Sequence, residues 1–169
     1  MNRLFLLPVA AFLSLTSISG QNYVPNETKN NEFGIHTGAV TGLGLSYRHW
    51  FNKTGVQLTA LPIRTDNLTF VSAGVTALYS FYNAKYVMVF GYLGNHFFMH
   101  ENSSDSFNWN TGTFEPDYYE DTSYSFGFGP GFAFGKTVRF NLMVGYGFYD
   151  VFDKFDMYPT GEVGLYYRF

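Results

Sequence analysis

One group of residues in this sequence has the types that covalent chemistry needs. His96 and His100 are followed closely by Ser103, Ser104 and Asp105, so a base, two hydroxyl nucleophiles and an acid stand within ten positions. Such a set could transfer an acyl group only if nucleophile and base come within hydrogen-bond reach. Proximity in the chain does not establish that. His36 and His49 read as structural histidines rather than metal ligands, because no second ligand recurs at a useful spacing. There is no cysteine, which excludes thiolate ligands, a disulfide framework and a lipoprotein anchor. Neither a metal nor a cofactor is expected.

A second set is ionic. Arg48, Arg139, Arg168, Glu162 and His36 are scattered singly among apolar and small residues, with Asn141 beside them in kind. Their meaning depends on the face of the element that carries each. A third set is concentrated. Residues 101–121 hold six acids and no Lys or Arg, together with Phe107, Trp109, Phe114, Tyr118 and Tyr119. The acids Glu101, Asp105, Glu115 and Asp117 and the rings of Trp109, Tyr118 and Tyr119 make a candidate recognition surface, since aromatic groups set among polar ones suit protein or glycan contacts. Its plain alternative is a solvated loop. No fixed Ca²⁺-loop spacing is present.

The elements that position these groups are strands. Aromatic residues make up 21% of the chain and charged ones only 14%. A soluble domain usually carries about 25% charged residues, because its outside is wet. Eight alternating segments follow residue 30, at about 33–40, 43–51, 55–63, 70–82, 86–100, 122–134, 138–151 and 161–169. Residues 1–20 read as a secretory signal, with Arg3 before an apolar run broken by Pro8 and small residues at Ser17, Ser19 and Gly20. The run is too short for a membrane-spanning helix. Residues 21–32 then form a flexible lead and 33–169 the folded domain.

Connection lengths alternate. Short turns contain Lys53, Lys85 and Lys136, while the connections after the third, fifth and seventh segments are longer. Short turns on one side and longer loops on the other suit an up-and-down barrel in an outer membrane. The first connection breaks this rule, being tight.

The faces say which way the barrel is turned. Val138, Phe140, Leu142, Val144, Tyr146 and Phe148 share one face of the seventh segment, against Arg139, Asn141, Gly145 and Gly147 on the other. Phe126, Phe128, Phe132 and Phe134 likewise oppose Ser125, Gly127, Gly129 and Gly131. A barrel in water would need Lys and Glu on its second face. Small and polar residues suit the narrow interior of eight strands. The apolar face therefore points to lipid, and the arginines, Glu162 and His36 point into the lumen as an internal polar network. The fifth segment has apolar residues on both faces and cannot be oriented. Glu162 is expected to be the one lumenal carboxylate against three arginines.

The last eight residues alternate strictly and end on an aromatic: Glu162, Gly164, Tyr166 and Arg168 against Val163, Leu165, Tyr167 and Phe169. A polar residue, a glycine and two aromatics at Glu162, Gly164, Tyr167 and Phe169 resemble the C-terminal signal by which outer-membrane barrels are recognised for insertion. With that octet in place, the chain resembles the small eight-stranded outer-membrane barrels: the OmpA transmembrane domain, OmpX and OmpW-like proteins. Residues 42–50 and 140–147 are similar to stretches in barrel proteins of Bacteroidota. The resemblance implies an all-β, eight-stranded antiparallel up-and-down transmembrane β-barrel in a bacterial outer membrane. Implied partners are outer-membrane lipid and lipopolysaccharide, the barrel-assembly machinery through the last strand, and an extracellular protein or glycan at the outer loop. A net charge of −3 without a basic cluster gives no support to nucleic-acid binding. The reading adopted is a structural or surface-interaction barrel with a plugged polar lumen. The alternatives are a small pore for polar solutes and a lipid A modifying enzyme using His96 or His100; the chain shows no match to the His/Ser arrangement of such enzymes.

Overall fold

The computed structural model describes residues 29–65, 68–108, 113–152 and 155–169, with side chains throughout except at 103–108 and 113–118. Eight strands follow in order: β1 (Asn31–Gly38), β2 (Gly42–Phe51), β3 (Thr54–Arg64), β4 (Leu68–Asn83), β5 (Val87–Asn108), β6 (Thr113–Phe134), β7 (Val138–Tyr149) and β8 (Asp156–Arg168). Each pairs antiparallel with its neighbour, and β1 closes on β8 from Glu32↔Arg168 to Thr37↔Val163. The result is an all-β, eight-stranded, up-and-down closed barrel. The signal segment at 1–20 and the flexible lead up to residue 28 lie outside the described residues.

One rim carries the Asn31 and Phe169 ends of the sheet and the connections at 52–53, 84–86 and 135–137; the other carries the turn at 39–41 and the ends at which β3 meets β4, β5 meets β6 and β7 meets β8. These are called the near and far rims below. The tight near-rim reversal at Asn52 is made with φ 65°, a left-handed conformation that Asn tolerates and that matches the strand twist of a two-residue hairpin. The far rim gains its length in strands rather than in loops. The 101–121 stretch, expected as a loop, is mostly ladder: β5 and β6 pair continuously out to Asn108↔Thr113. The stretch is rich in Asn, Ser, Asp and Glu, so its composition did not mark it as strand.

Alternation sets the faces throughout. Ile35, Leu45, Leu58, Val75 and Phe128 are between 49% and 61% exposed on the outside, while Ser46, Gln57, Thr59, Thr76 and Asn141 inside are at most 2% exposed. An outside of this kind is compatible with hydrocarbon and costly in water. Aromatic residues gather at the near rim, with Phe51, Phe81, Tyr86, Phe134, Tyr167 and Phe169 all exposed. Interfacial belts of this sort flank the apolar band of outer-membrane barrels.

The structure also orients β5. Met88, Phe90, Tyr92, Gly94 and His96 point inward. Apolar residues occur on both of its faces because the near half of the lumen is itself an apolar core, built from Trp50, Leu78, Met88, Phe90, Tyr92 and Met143. Phe90 fits there because Gly131, its partner on β6, has no side chain to meet its ring.

Val144, at the middle of β7, stands 42% exposed on the outward face. Its replacement by Arg should lower the stability of the protein refolded in lipid vesicles by about 2–4 kcal/mol. Denaturant titration with intrinsic fluorescence measures this, and an unchanged midpoint would mean that the apolar face does not contact hydrocarbon.

Candidate functional site

The polar interior falls into two groups. In the near half, Glu32 takes both Arg48 (Nη1 to Oε2, 3.3 Å) and Arg139 (Nη1 to Oε1, 2.9 Å) on one carboxylate. Arg48 also donates through Nε and Nη2 to Gln57 Oε1 at 3.2 and 2.6 Å. Gln57 passes the chain on, donating from Nε2 to Thr59 Oγ1 at 3.1 Å, and Thr59 meets Ser46 at 3.0 Å. Tyr166 donates to Ser46 Oγ at 2.9 Å and lays its ring 4.3 Å from the Arg48 guanidinium carbon. Four strands thus converge on Arg48, which is fully buried. A buried cation is tolerable only with this density of partners.

The far half is filled by the chain itself. The turn at 39–41, between β1 and β2, folds into the lumen, and Val40 and Thr41 are fully buried. Each polar group named here has a partner. The Ala39 carbonyl accepts from His96 Nδ1 (3.0 Å) and Ser125 Oγ (2.9 Å). The Val40 amide donates to Glu162 Oε1 at 3.3 Å, and the Thr41 hydroxyl donates to Glu162 Oε2. Thr41 in turn accepts from His36 Nε2 at 2.6 Å. Because His96 gives its Nδ1 proton to a carbonyl, its Nε2 is the acceptor for Ser72 Oγ, 2.8 Å away. The turn sits on bare backbone. A Cβ at Gly127 would lie 2.7 Å from Val40 Cγ2, one at Gly147 2.7 Å from Val40 Cγ1, and one at Gly94 2.6 Å from Thr41 Cγ2. Those glycines leave the room into which Val40 and Thr41 fit.

The residues singled out from the sequence are distributed as follows. Arg48, Arg139, Glu162 and His36 lie inside the barrel, in the two groups just described. Arg168 is at the near rim, donating through Nε to the Lys29 carbonyl at 2.8 Å rather than joining either group. Asn141 is fully buried, yet both of its amide atoms are without a partner. It stands across Gly164 from His36, whose Nδ1 is likewise unpartnered. Gly164 is itself inward, and Tyr167 and Phe169 face outward with their rings stacked at 6.3 Å.

One expectation needs correction. Glu162 is not the sole lumenal carboxylate, since Glu32 is inside and serves two of the arginines. β1 begins at Asn31, not at 33, and Glu32 therefore shares the parity of Gly34 and His36. That parity was the available signal. Gln57 and Ser46 were also missed as members, being ordinary strand residues until the Arg48 group reaches them, whereas Tyr166 shares the inward parity of Glu162 and Arg168 in the last octet.

At the far rim, Glu101 and Tyr119 are exposed, with Tyr119 6.1 Å from the His100 ring. Asp105, Glu115, Asp117 and Tyr118 have their backbones in the β5–β6 ladder, but their side chains lie outside the described residues, as does all of Trp109. Ser103 and Ser104 are in the same position. His96 faces the lumen, and the serine it meets is Ser72, 1% exposed. Among the described residues, no cluster of His, Asp and Glu could hold a metal ion.

Neither a family model nor a curated protein matches the chain. Three solved structures are similar to it in fold. The N-terminal β-barrel domain of Pseudomonas aeruginosa OprF aligns at 11% identity over 83% of this chain and 96% of its own, with a TM-score of 0.46. Ail, the attachment invasion locus protein of Yersinia pestis, aligns at 22% identity over 83% and 95%, with a TM-score of 0.37. Neisserial surface protein A aligns at 16% identity over 83% and 92%, with a TM-score of 0.38. The architecture here stands on its own closed ladder.

Three substitutions probe the interior. Glu32→Ala strands two buried guanidinium groups and should cost about 3–5 kcal/mol in vesicle-refolding equilibria; a loss below about 1 kcal/mol, the size of an exposed ion pair, would show that the pairs are hydrated rather than buried. Gly127→Val fills the seat of the turn. In this cysteine-free chain, Val40→Cys should resist a polar maleimide on its own and react once Gly127→Val is added. Equal labelling of the two proteins would mean that the turn does not occupy that seat.

Proposed function

We propose that the protein is a bacterial outer-membrane barrel with a closed lumen, acting through its far surface, which faces outward from the cell. The observation that carries this reading is the turn at 39–41. A pore would leave the far half of the lumen to water, whereas here a segment of the chain fills it and its backbone groups are bonded by β5, β6 and β8. The apolar core and the Arg48 group fill the near half. Side-chain polarity inside then serves cohesion rather than transport.

What remains available for interaction is the outer face. The lipid-facing wall meets outer-membrane lipid, and the wall's far edge meets lipopolysaccharide. The alternation of β8, ending on Tyr167 and Phe169, is a fitting address for the barrel-assembly machinery. The β5–β6 hairpin, with exposed Glu101, Tyr119 and Asp121 at its base, is the part best placed to touch an extracellular protein or glycan. The lipid A enzyme reading draws no support from His96, which is committed to Ser72 and to the turn.

Refolded protein should run faster unheated than boiled on a gel and carry no steady current in planar bilayers. Stable channels would transfer the reading to a small pore. Cells displaying the protein should bind immobilised extracellular-matrix proteins or glycans, and deletion of residues 103–118 should abolish that binding while heat-modifiable mobility persists. Binding that survives the deletion would remove the hairpin from the proposal.

A further inference from the structure

The two rims carry opposite charge. At the far rim Glu101, Glu120, Asp121 and Asp156 are exposed, against Arg64. At the near rim stand five cations: Lys29, Lys53, Lys85, Lys136 and Arg168. Among the described residues Glu32 is the one acidic side chain at that end, and it is fully buried on Arg48 and Arg139. Its charge is taken up inside the barrel, so the outside of the near rim is positive.

These cations are arranged as a ring. Each of the three near-rim turns contributes one lysine: Lys53 between β2 and β3, Lys85 between β4 and β5, and Lys136 between β6 and β7. Arg168 and Lys29 stand at the seam of β8 and β1, bonded through Arg168 Nε and the Lys29 carbonyl. Positive groups thus recur at every second strand around the whole circumference. Backbone bonds fix their level. The Ser80 amide donates to the Lys53 carbonyl (2.7 Å), the Gly135 amide to the Tyr86 carbonyl (2.8 Å) and the Arg168 amide to the Thr137 carbonyl (2.8 Å). Each turn is therefore tied to the strand beyond the pair that it joins.

Each lysine of the ring also follows or precedes an exposed aromatic residue closely in the chain: Phe51, Tyr86 and Phe134. Lys85 holds its Nζ 5.2 Å from the centre of the Tyr86 ring. Aromatic belts mark the level of the lipid headgroups. A lysine at that level keeps its apolar stem against the wall and its ammonium among the headgroups.

The spacing says what such a ring fits. A folded acidic protein docks on one patch and would meet only part of the circumference. Lipid surrounds the barrel as the cations do. An ammonium group is a donor without an acceptor, and a phosphate is its natural complement; basic groups at a membrane surface attract anionic lipid.

We infer that the near rim is a selective site for anionic phospholipid, whose headgroup phosphates are held by Lys53, Lys85 and Lys136 around the barrel. This rests on the reading that the wall meets outer-membrane lipid, and it names the headgroup and the rim that gathers it.

The test uses the intact mature barrel refolded into phosphatidylcholine vesicles with a trace of lipid spin-labelled on its acyl chain. The labelled lipid is either phosphatidylglycerol or phosphatidylcholine, and electron spin resonance reads how much of it is immobilised at the wall. Phosphatidylglycerol should be favoured about threefold, the mean of a leaflet at the near rim favoured about fivefold and one at the far rim not favoured. The preference should shrink as salt is raised. Lys53→Gln, Lys85→Gln and Lys136→Gln together should bring the ratio to one or below, while Arg at the same three positions should preserve it. A wild-type ratio near one overturns the inference, as does a preference that ignores both salt and the Gln variant. Should the Gln variant lack heat-modifiable mobility, Lys85→Gln alone takes its place, and an unchanged ratio there overturns the inference too. If the ratio is one and soluble polyglutamate binds the wild type but not the Gln variant, the ring serves an acidic protein instead. Immobilised lipid without selectivity leaves the lipid-facing wall standing and removes only this inference. No immobilised lipid of either kind means that the wall reading itself fails.

Discussion

Hydrocarbon offers no hydrogen bonds, so every amide and carbonyl of the wall must find a partner in the wall. For strands the solution is closure, and here β1 bonded to β8 completes it. Much else follows from that single seam. Closure fixes which residue of each pair looks inward, because alternation leaves no choice once the register is set. It also fixes how little space the inward residues share, since eight strands enclose barely more than their own side chains.

The interior reads as a response to that shortage of room. Glycine appears where something large must pass: Gly131 faces Phe90, Gly55 faces Trp50, and Gly94, Gly127 and Gly147 surround the inserted turn. Charge is handled with the same economy. A single carboxylate, Glu32, answers two guanidinium groups, and Glu162 holds a turn by an amide and a hydroxyl at once. Arg168 escapes to the rim, where a backbone carbonyl suffices.

The barrel, its strand count and the faces of the sixth, seventh and eighth strands were legible because alternation over eight or more residues is a strong signal, and the last octet states it without interruption. Strand β5 was not legible in this way. Its inward residues pack an apolar core, so lumen and lipid ask for similar side chains at Met88, Phe90 and Tyr92. Glu32 was hidden by a boundary placed two residues late. The hairpin beyond Glu101 was hidden because its sequence, rich in Asn, Ser, Asp and Glu, has the composition of a loop. The tight connection at 39–41 did show as an exception among the far-rim connections. What it meant could not be read, since the groups that hold it, His96, Ser125 and Glu162, come from three later strands.

That separation in the chain has a temporal side. The Ala39 carbonyl bonds a residue 86 positions away and the Val40 amide one 122 positions away. The β1–β2 hairpin is local and can form early, but the cradle for its tip does not exist until the last strand is in place. Contacts of such high order come late and make folding slow. The turn therefore works as a completion check: an unfinished barrel leaves Val40 with nothing to pack against and Glu162 with nothing to hold, and only the finished one gains both together.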